Sequence, residues 1–354
     1  MAADERSAQR DRYYEQLASE QLAPLWVFFK DWFTMAPRVQ TQPHVWSYRK
    51  LRELILESAQ IIDPQEAERR VLALENPGLQ GKRLATESLY AGLQLIMPGE
   101  LAPCHRHTPA ALRFVLEGHG AYTAVNGERA YMEPGDFIVT PSWTWHEHAH
   151  EGDGPTVWLD VLDVAMVHLF NATFTELEPD RPLAKGAAGS REAVPPQDSY
   201  HRFGMNMRPV GYERSSGASP VFHYPYARSK AALDALKAHS SWDPCHGLKL
   251  EYIDPTTGGP AIPTISTFLQ LVPAAFETRP YQSTAGAIFC FVEGEGTIEI
   301  RDGDASATLP YRPWDIVTVP SWKPYVIRPD SETVVFSASD EAAQRRLGLW
   351  RELR

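Results

Sequence analysis

Two stretches of this chain repeat one another, and no other feature constrains its fold as strongly. Arg113-Phe-Val-Leu-Glu-Gly-His-Gly120 matches Phe289-Cys-Phe-Val-Glu-Gly-Glu-Gly296, 176 residues on. Pro134-Gly-Asp-Phe-Ile-Val-Thr-Pro-Ser-Trp143 matches Pro313-Trp-Asp-Ile-Val-Thr-Val-Pro-Ser-Trp322, now 179 residues on. A three-residue insertion in the second copy, near Asp302 to Ala307, accounts for the difference. Collinear matches of this kind mean two copies of one folding unit.

The repeated regions read as short strands. Leu93–Ile96, Leu112–Leu116, Gly120–Val125, Phe137–Thr140 and Thr156–Leu159 are apolar runs broken by Pro and Gly, and Asn126-Gly127 is a two-residue hairpin signal. Evenly spaced strands of this type predict an antiparallel sandwich or barrel. The expected organisation is a helical N-terminal arm over 1–83, a first barrel over 84–170 and a connector with one helix over 171–262. A second barrel over 263–340 and a C-terminal helix over 341–354 complete it. Helices are expected at Arg6–Glu20, Trp46–Ile62, Pro64–Leu74, Ser229–His239 and Glu341–Leu353.

Composition narrows the class of function. A formal charge of −11 without a basic block disfavours nucleic acid and anionic membranes as partners. The longest apolar runs fall far short of the ~20 residues of a membrane span. Three scattered cysteines do not make a disulfide framework or a thiolate metal site, and the chain reads as cytoplasmic.

The chemistry sits in the first copy. His105 and His107 are two apart, so on a strand they share one face, ~7 Å apart along the backbone. His146-Glu-His148-Ala-His150 follows about forty residues later, again alternating. Gly99 precedes His105 by six residues, and Gly135, Pro141 and His146 keep a matching frame. These are the motif spacings of the cupin superfamily, and the region resembles a cupin barrel. The expected fold is therefore mainly β, with two cupin (double-stranded β-helix, jelly-roll) barrels. The departures are informative. Ala111 and Leu112 stand where a cupin usually carries a glutamate ligand, Trp143 replaces a glycine, and His150 replaces an asparagine. Three neutral imidazoles, His105, His107 and His146, remain as metal ligands. Such a set suits ferrous iron with open positions, whereas zinc more often settles as four-coordinate. In the second copy Tyr281, Ser283 and Tyr325 take these positions, so no metal is expected there.

A longer resemblance rests on Glu68-Arg-Arg-Val-Leu-Ala-Leu-Glu-Asn-Pro-Gly78, Tyr90-Ala-Gly-Leu-Gln94, Ala102-Pro-Cys-His-Arg-His-Thr108, Pro141-Ser-Trp-Thr-Trp-His-Glu-His148 and Asp254-Pro-Thr-Thr-Gly-Gly259. From about Pro43 to Ser339 the chain is similar to the gentisate 1,2-dioxygenase family of two-barrel ring-cleaving enzymes, which includes salicylate and 1-hydroxy-2-naphthoate dioxygenases. The resemblance implies one Fe(II) per chain on His105, His107 and His146. It also implies substrate contacts at Gln94, Arg113 and His148, and at Arg69, Tyr90 and Asp160. Arg113, on an apolar strand, either grips a substrate carboxylate or sits in an internal ion pair. His148 shares the face of His146 and is either an acid–base group or a structural histidine. Gln94 needs a polar partner, and Arg69 could equally lie on a solvated helix face. His119 and His150 read as rim residues.

The expected reaction is extradiol-type cleavage of a 2-hydroxybenzoate by O2 in aromatic degradation, most readily gentisate to maleylpyruvate, with salicylate or 1-hydroxy-2-naphthoate as alternatives. The partners are a small aromatic hydroxy acid, O2 and further copies of the chain, a homotetramer being favoured. The rival from another class is a non-catalytic bicupin that binds or stores a small ligand.

Overall fold

The computed structural model describes residues 3–67, 69–178, 194–214, 216–303 and 305–354. Glu68 of the longer motif, 179–193 and Ser215 of the expected connector, and Asp304 within the expected insertion lie outside the described residues. The chain divides into two compact units, Met1–Arg38 and Val39–Arg354. The first holds helices α1 (Ala3–Ser19) and α2 (Leu25–Trp32). No residue of α2 is buried, and Trp26, Val27, Phe29 and Trp32 are exposed. No helix among the described residues is long and apolar enough to cross a membrane.

In the second unit, strand β1 (His44–Trp46), helices α3 (Tyr48–Ile61) and α4 (Pro64–Ala67), and strand β2 (Arg70–Ala73) precede the first barrel. Its strands are β3 (Tyr90–Ile96), β4 (Leu101–His107), β5 (Ala111–Glu117), β6 (Ala121–Val125), β7 (Glu128–Tyr131), β8 (Phe137–Thr140), β9 (His146–His150) and β10 (Thr156–Leu162). Helix α5 (Val164–Leu169), β11 (Thr175–Leu177), α6 (Asp198–Phe203), β12 (His223–Tyr224), α7 (Tyr226–His239) and β13 (Leu248–Glu251) follow. The second barrel comprises β14 (Ser266–Val272), β15 (Gln282–Ser283), β16 (Ala287–Glu293), β17 (Gly296–Asp302), β18 (Ala305–Tyr311), β19 (Ile316–Val319), β20 (Tyr325–Pro329) and β21 (Thr333–Ser339). Helix α8 (Glu341–Arg346) and β22 (Glu352–Leu353) end the chain.

One six-stranded sheet has the order β12-β8-β5-β10-β3-β2, and the matching sheet of the second barrel has β1-β19-β16-β21-β14-β13. Strand alternation divides their side chains. Leu112, Phe114 and Leu116 of β5 face an apolar layer shared with Cys290, Val334 and Phe336, where Phe114 stacks on Phe336 at 3.9 Å. Val115, Ile138 and Trp158 fill the first barrel's interior, and Phe289, Phe291, Tyr311 and Tyr325 that of the second.

The repeat reaches further than the barrels. β1-α3-β2 and β12-α7-β13 are equivalent, and each leading strand and helix start is exchanged onto the other copy. β1 pairs with β19, and β12 with β8. The Tyr48 N–H at the start of α3 donates to Asp315 at 2.8 Å, and the Tyr226 N–H at the start of α7 donates to Asp136 at 2.8 Å. The Tyr48 hydroxyl donates to Glu117 at 2.9 Å, and that of Tyr226 to Glu293. Asp136 and Asp315 are the same repeat position, as are Glu117 and Glu293.

Several expectations are corrected. The span 1–83 is not wholly helical: β1 and β2 are strands that take up otherwise unpaired sheet edges. The helix expected over Pro64–Leu74 stops at Ala67, because Arg70–Ala73 satisfies its backbone by pairing with β3. The C-terminal helix expected to Leu353 stops at Arg346. Gly348, at φ 72, turns the chain, and Glu352–Leu353 pairs with Gln282–Ser283. The connector carries α6, and its strands β12 and β13 complete the two six-stranded sheets. Beside the expected insertion, β17 and β18 are seven residues each against five and four in β6 and β7, so the hairpin arms are longer.

Asp315→Ala is expected to lower unfolding stability by about 1.5–3 kcal/mol, the scale of hydrogen bonds to a charged group. Asp136→Ala should do the same, although only one of the two barrels carries the histidines. Urea midpoints measure both, and a loss below ~0.5 kcal/mol in either would show that the exchanged helix starts do not depend on these carboxylates.

Candidate metal centre

β4 and β9 are neighbours, with His105 directly opposite His146. A register shift between Ala102 and His105 re-aims the end of β4. His107 lies two residues on, on the same face. The ring centroids stand 5.2 Å apart for His105 and His107, 4.1 Å for His105 and His146, and 4.8 Å for His107 and His146. The ligand atoms they offer lie within 4.8 Å of one another. Among the described residues this is the only such grouping of His, Cys, Asp and Glu, and it contains no carboxylate.

Backbone carbonyls set the tautomers of His107 and His146. Nδ1 of His107 lies 2.7 Å from the Pro109 carbonyl and that of His146 lies 2.8 Å from the Thr144 carbonyl, so each Nδ1–H donates. Nδ1 of His105 lies 3.1 Å from the Pro103 carbonyl, which also accepts from Arg69 at 3.3 Å. Arg69 Nη2 stands 2.8 Å from that Nδ1, and since a guanidinium only donates, Nδ1 accepts from it while the Pro103 carbonyl takes the other Nη2 N–H. His105 therefore carries its proton on Nε2 in this arrangement, and holding an ion there takes the Nδ1–H tautomer, with the Pro103 carbonyl as acceptor. The Nε2 lone pairs of His107 and His146 are thereby left for one ion, and that of His105 joins them in its Nδ1–H tautomer, an arrangement that orients metal-bound histidines. His146 Nε2 is buried and has no hydrogen-bond partner. A buried acceptor left open in this way fits a metal ion.

Electrostatics keep the imidazoles neutral. Burial, then the Arg69 guanidinium, pulls His105 down to about 3. Burial takes His107 to about 4 and holds His146 well below the ordinary histidine value.

The expected substrate residues gather on the same interior face. Arg113 and Asp160 are cross-strand partners, with Nε 3.7 Å from Oδ1. This is the internal ion pair held open above, and it is only part of the arrangement. Arg113 also donates to Thr140 Oγ1 and, at 3.1 Å, to His148 Nε2. Of its five N–H bonds, the Nε–H and one on each Nη have no hydrogen-bond partner. Burial lowers the Arg113 pKa to about 10 against the pull of Asp160, and burial raises that of Asp160. A guanidinium can only donate, so His148 must accept at Nε2 and carry its proton on Nδ1, which lies 2.9 Å from Thr123 Oγ1. Asp160 accepts from Trp158 Nε1 at 3.0 Å.

Gln94 is buried on β3 beside Trp158 and makes no side-chain hydrogen bond among the described residues. Tyr90, half-buried, places its hydroxyl over Gly92, 2.5 Å from where a Cβ would stand. Its pKa is pushed up to about 12 by burial and by Asp160. Arg69 lies past the end of α4 rather than on a solvated helix face. His119 is exposed and bonds Glu133, as a rim residue does. His150 is not a rim residue: it is buried, bonding Gly152 N–H and Thr156.

Thr123, Thr140 and Trp158 were not singled out from sequence. Strand parity marks them, since each shares an interior face with a named residue. Trp143 explains the missing glycine: it holds φ 57, and its repeat partner Trp322 holds φ 60. The left-handed backbone persists without glycine because each Trp N–H donates across the barrel mouth, to the His107 carbonyl at 2.8 Å and the Ser283 carbonyl at 2.6 Å. Arg106 lies over the Trp143 ring at 4.4 Å.

Comparison with known proteins agrees with this geometry. A cupin-domain family profile matches residues 92–162. The chain is 46% identical to gentisate 1,2 dioxygenase 1 of Aquipseudomonas alcaligenes, over 98% of this chain and 96% of that one. It is 33% identical to 5-aminosalicylate 1,2-dioxygenase of Comamonas sp, over 99% and 92%. Among solved structures, salicylate 1,2-dioxygenase of Pseudoaminobacter salicylatoxidans with gentisate superposes with a TM-score of 0.88 at 29% identity, covering 98% of this chain and 93% of that one.

One tightly held metal ion per chain is expected, confined to the first barrel, and His146→Ala should abolish its retention. Elemental analysis of protein purified without chelator checks this, and two tightly bound ions per chain would contradict it.

Proposed function

The chain belongs to the gentisate 1,2-dioxygenase family of ring-cleaving dioxygenases, and from that premise we propose that it is an Fe(II) enzyme that cleaves gentisate to maleylpyruvate, incorporating both atoms of O2. Full-length identity of 46% to a gentisate 1,2 dioxygenase, with the three-histidine site intact, carries the reading.

The residues that would hold the iron are His105, His107 and His146, through Nε2. When bound, ferrous iron supplies Lewis acidity toward the carboxylate and phenol oxygens of a 2-hydroxybenzoate, and electrons toward dioxygen. The rest is the work of this chain's side chains. Arg113 offers the substrate carboxylate N–H bonds that its protein partners leave open, a planar fork suited to a bidentate partner. Asp160, Thr140 and His148 fix the plane of that fork. For His148 to take the phenol proton, its Nε2 must exchange Arg113 for the substrate hydroxyl, while Thr123 keeps Nδ1–H in place. Gln94 and Tyr90 face the ring with a free amide and a hydroxyl. Arg69 adds positive charge beside His105, favouring an anionic substrate.

We also infer a homo-oligomer, a tetramer being favoured, with the exposed apolar residues of α2 against a second copy; a patch with two tryptophans is not usual on a monomer. The three free cysteines are buried, in keeping with a cytoplasmic enzyme whose thiols stay reduced.

Oxygen uptake on adding ferrous iron with gentisate, salicylate or 1-hydroxy-2-naphthoate tests the reaction and ranks the rings. Absence of uptake with all three in iron-replete protein would sink it. Arg113→Ala should retain iron yet lose at least ~10-fold in kcat/KM, since a charge-assisted contact contributes about 1.5–3 kcal/mol and ~1.4 kcal/mol is a factor of ten. Arg113→Lys should recover little, because a point ammonium does not reproduce the fork. Iron content measured alongside steady-state kinetics decides: near-normal efficiency removes Arg113 from substrate binding, and lost iron makes it structural. Tyr281→Phe, in the second barrel, should leave kcat within a few-fold.

A further inference from the structure

The second barrel keeps a cavity where the first holds its histidines. It has a mouth of about 330 Å³ and an inner extension of about 30 Å³, which share Lys249, Phe268, Tyr281 and Glu341 as walls. Tyr281 and Tyr325, the counterparts of His105 and His146, bridge each other across the barrel as those histidines do. Ser283, at the His107 position, lines the inner part. What is new is Lys249. On β13 it stands opposite Gln270, as Val71 on β2 stands opposite Gln94 in the first barrel. Its Nζ lies 4.1 Å over the Phe268 ring and makes no ion pair among the described residues. Burial pulls its pKa below the ordinary lysine value, and Glu341 and Glu251 pull the other way. The mouth carboxylates are engaged elsewhere. Glu341 pairs with Arg345 at 2.7 Å, Asp243 with Arg354, and Glu352 accepts from the Tyr281 hydroxyl at 2.8 Å. Glu251 takes Ser266 at 3.4 Å. Ser339, 5% exposed, lines the same cavity with an Oγ that has no partner.

We propose that the second barrel is a metal-free binding site for a small hydroxyl-bearing aromatic carboxylate, which it holds without turning it over. The ligand's carboxylate goes to Lys249 and Ser339, and its ring lies in the mouth against Phe268 and Tyr281. A half-buried cation without a direct ion pair is under-solvated, and a carboxylate relieves that cost. The volume suits one small ring. Four carboxylates around the mouth weigh against a phosphate or a dianion and in favour of a monoanion whose hydroxyl donates to one of them. Turnover is absent because the histidine ligands are replaced by a serine and two phenols, which burial keeps protonated: the Tyr325 pKa is raised well above its ordinary value, and that of Tyr281 is raised too. The first barrel offers three imidazoles to an ion; the second offers an ammonium, from the strand position that Val71 holds in the first.

Salicylate binding to the iron-loaded protein in the absence of dioxygen, measured by titration calorimetry, tests this. Two equivalents per chain are expected in the wild type and one in Lys249→Met, with iron content, melting midpoint and gentisate turnover of the variant within two-fold. His146→Ala, without metal in the first barrel, should keep the Lys249-dependent equivalent. This site is therefore counted whether or not the first barrel acts as proposed. Ser339→Ala removes only a hydroxyl and should weaken the same equivalent at least three-fold, and benzoate should bind it at least ten-fold more weakly than salicylate. A wild-type count that neither Lys249→Met nor Ser339→Ala changes would overturn the site. Benzoate binding as tightly as salicylate would overturn the hydroxyl requirement.

Discussion

Two buried carboxylates, Asp136 and Asp315, hold the architecture together by capping helices that belong to the other half of the repeat. Asp315, in the barrel without histidines, accepts the first N–H of α3. That helix carries Tyr48, whose hydroxyl binds Glu117, and Arg52, which pairs with the same carboxylate at 2.6 Å. Glu117 ends β5, the strand that carries Arg113. A line of contacts therefore runs from the second barrel to the cation of the first barrel's site. A barrel free of metal ligands still has a reason to be kept, because its turn caps a helix of the half that carries the chemistry.

The second constraint is parity. The apolar layer between the six-stranded sheets claims Leu112, Phe114 and Leu116, so Arg113 and Val115 have only the barrel interior to face. The same rule turns Asp160 inward opposite Arg113, and Trp158 inward opposite Gln94. A one-residue slip of β5 would place a guanidinium in the layer where Phe114 meets Phe336. The geometry of the site is thus enforced by burial on the face it does not use.

Much of this was legible in the sequence. Glycine and proline punctuation gave the strands, the double match gave two barrels, and histidine spacing gave the triad that the geometry brings together. The exchange of β1-α3 and β12-α7 was not read, because the signal in its helices is slight: His44 and Tyr48 against His223 and Tyr226, with loops of different composition between. Short strands such as Arg70–Ala73 form because a sheet edge awaits them, a tertiary fact that local propensity does not carry. The hydrogen bonds of His148 were equally hidden, since Thr123 is 25 residues away and is joined to it only by the pairing of β6 with β9.

Charge explains why one frame supports two different cavities. In the first barrel three imidazoles are neutral and the nearby fixed charges are the Arg69 and Arg113 cations and the single anion Asp160, so the site is cationic before any ion arrives. A divalent ion deepens that imbalance, and no protein carboxylate joins the ligand set to offset it. The missing negative charge has to come with the substrate, and a carboxylate beside a phenol oxygen brings it to the right place. A cupin that keeps its glutamate ligand holds part of that charge itself. Replacing it with Ala111 and Leu112 transfers the demand to the substrate. In the second barrel Lys249 carries a single positive charge among engaged carboxylates, which calls for a monoanion at most. The difference between the barrels is therefore in charge, two arginines beside neutral imidazoles in the first and one ammonium among paired carboxylates in the second, and it follows from a few substitutions on a shared strand order.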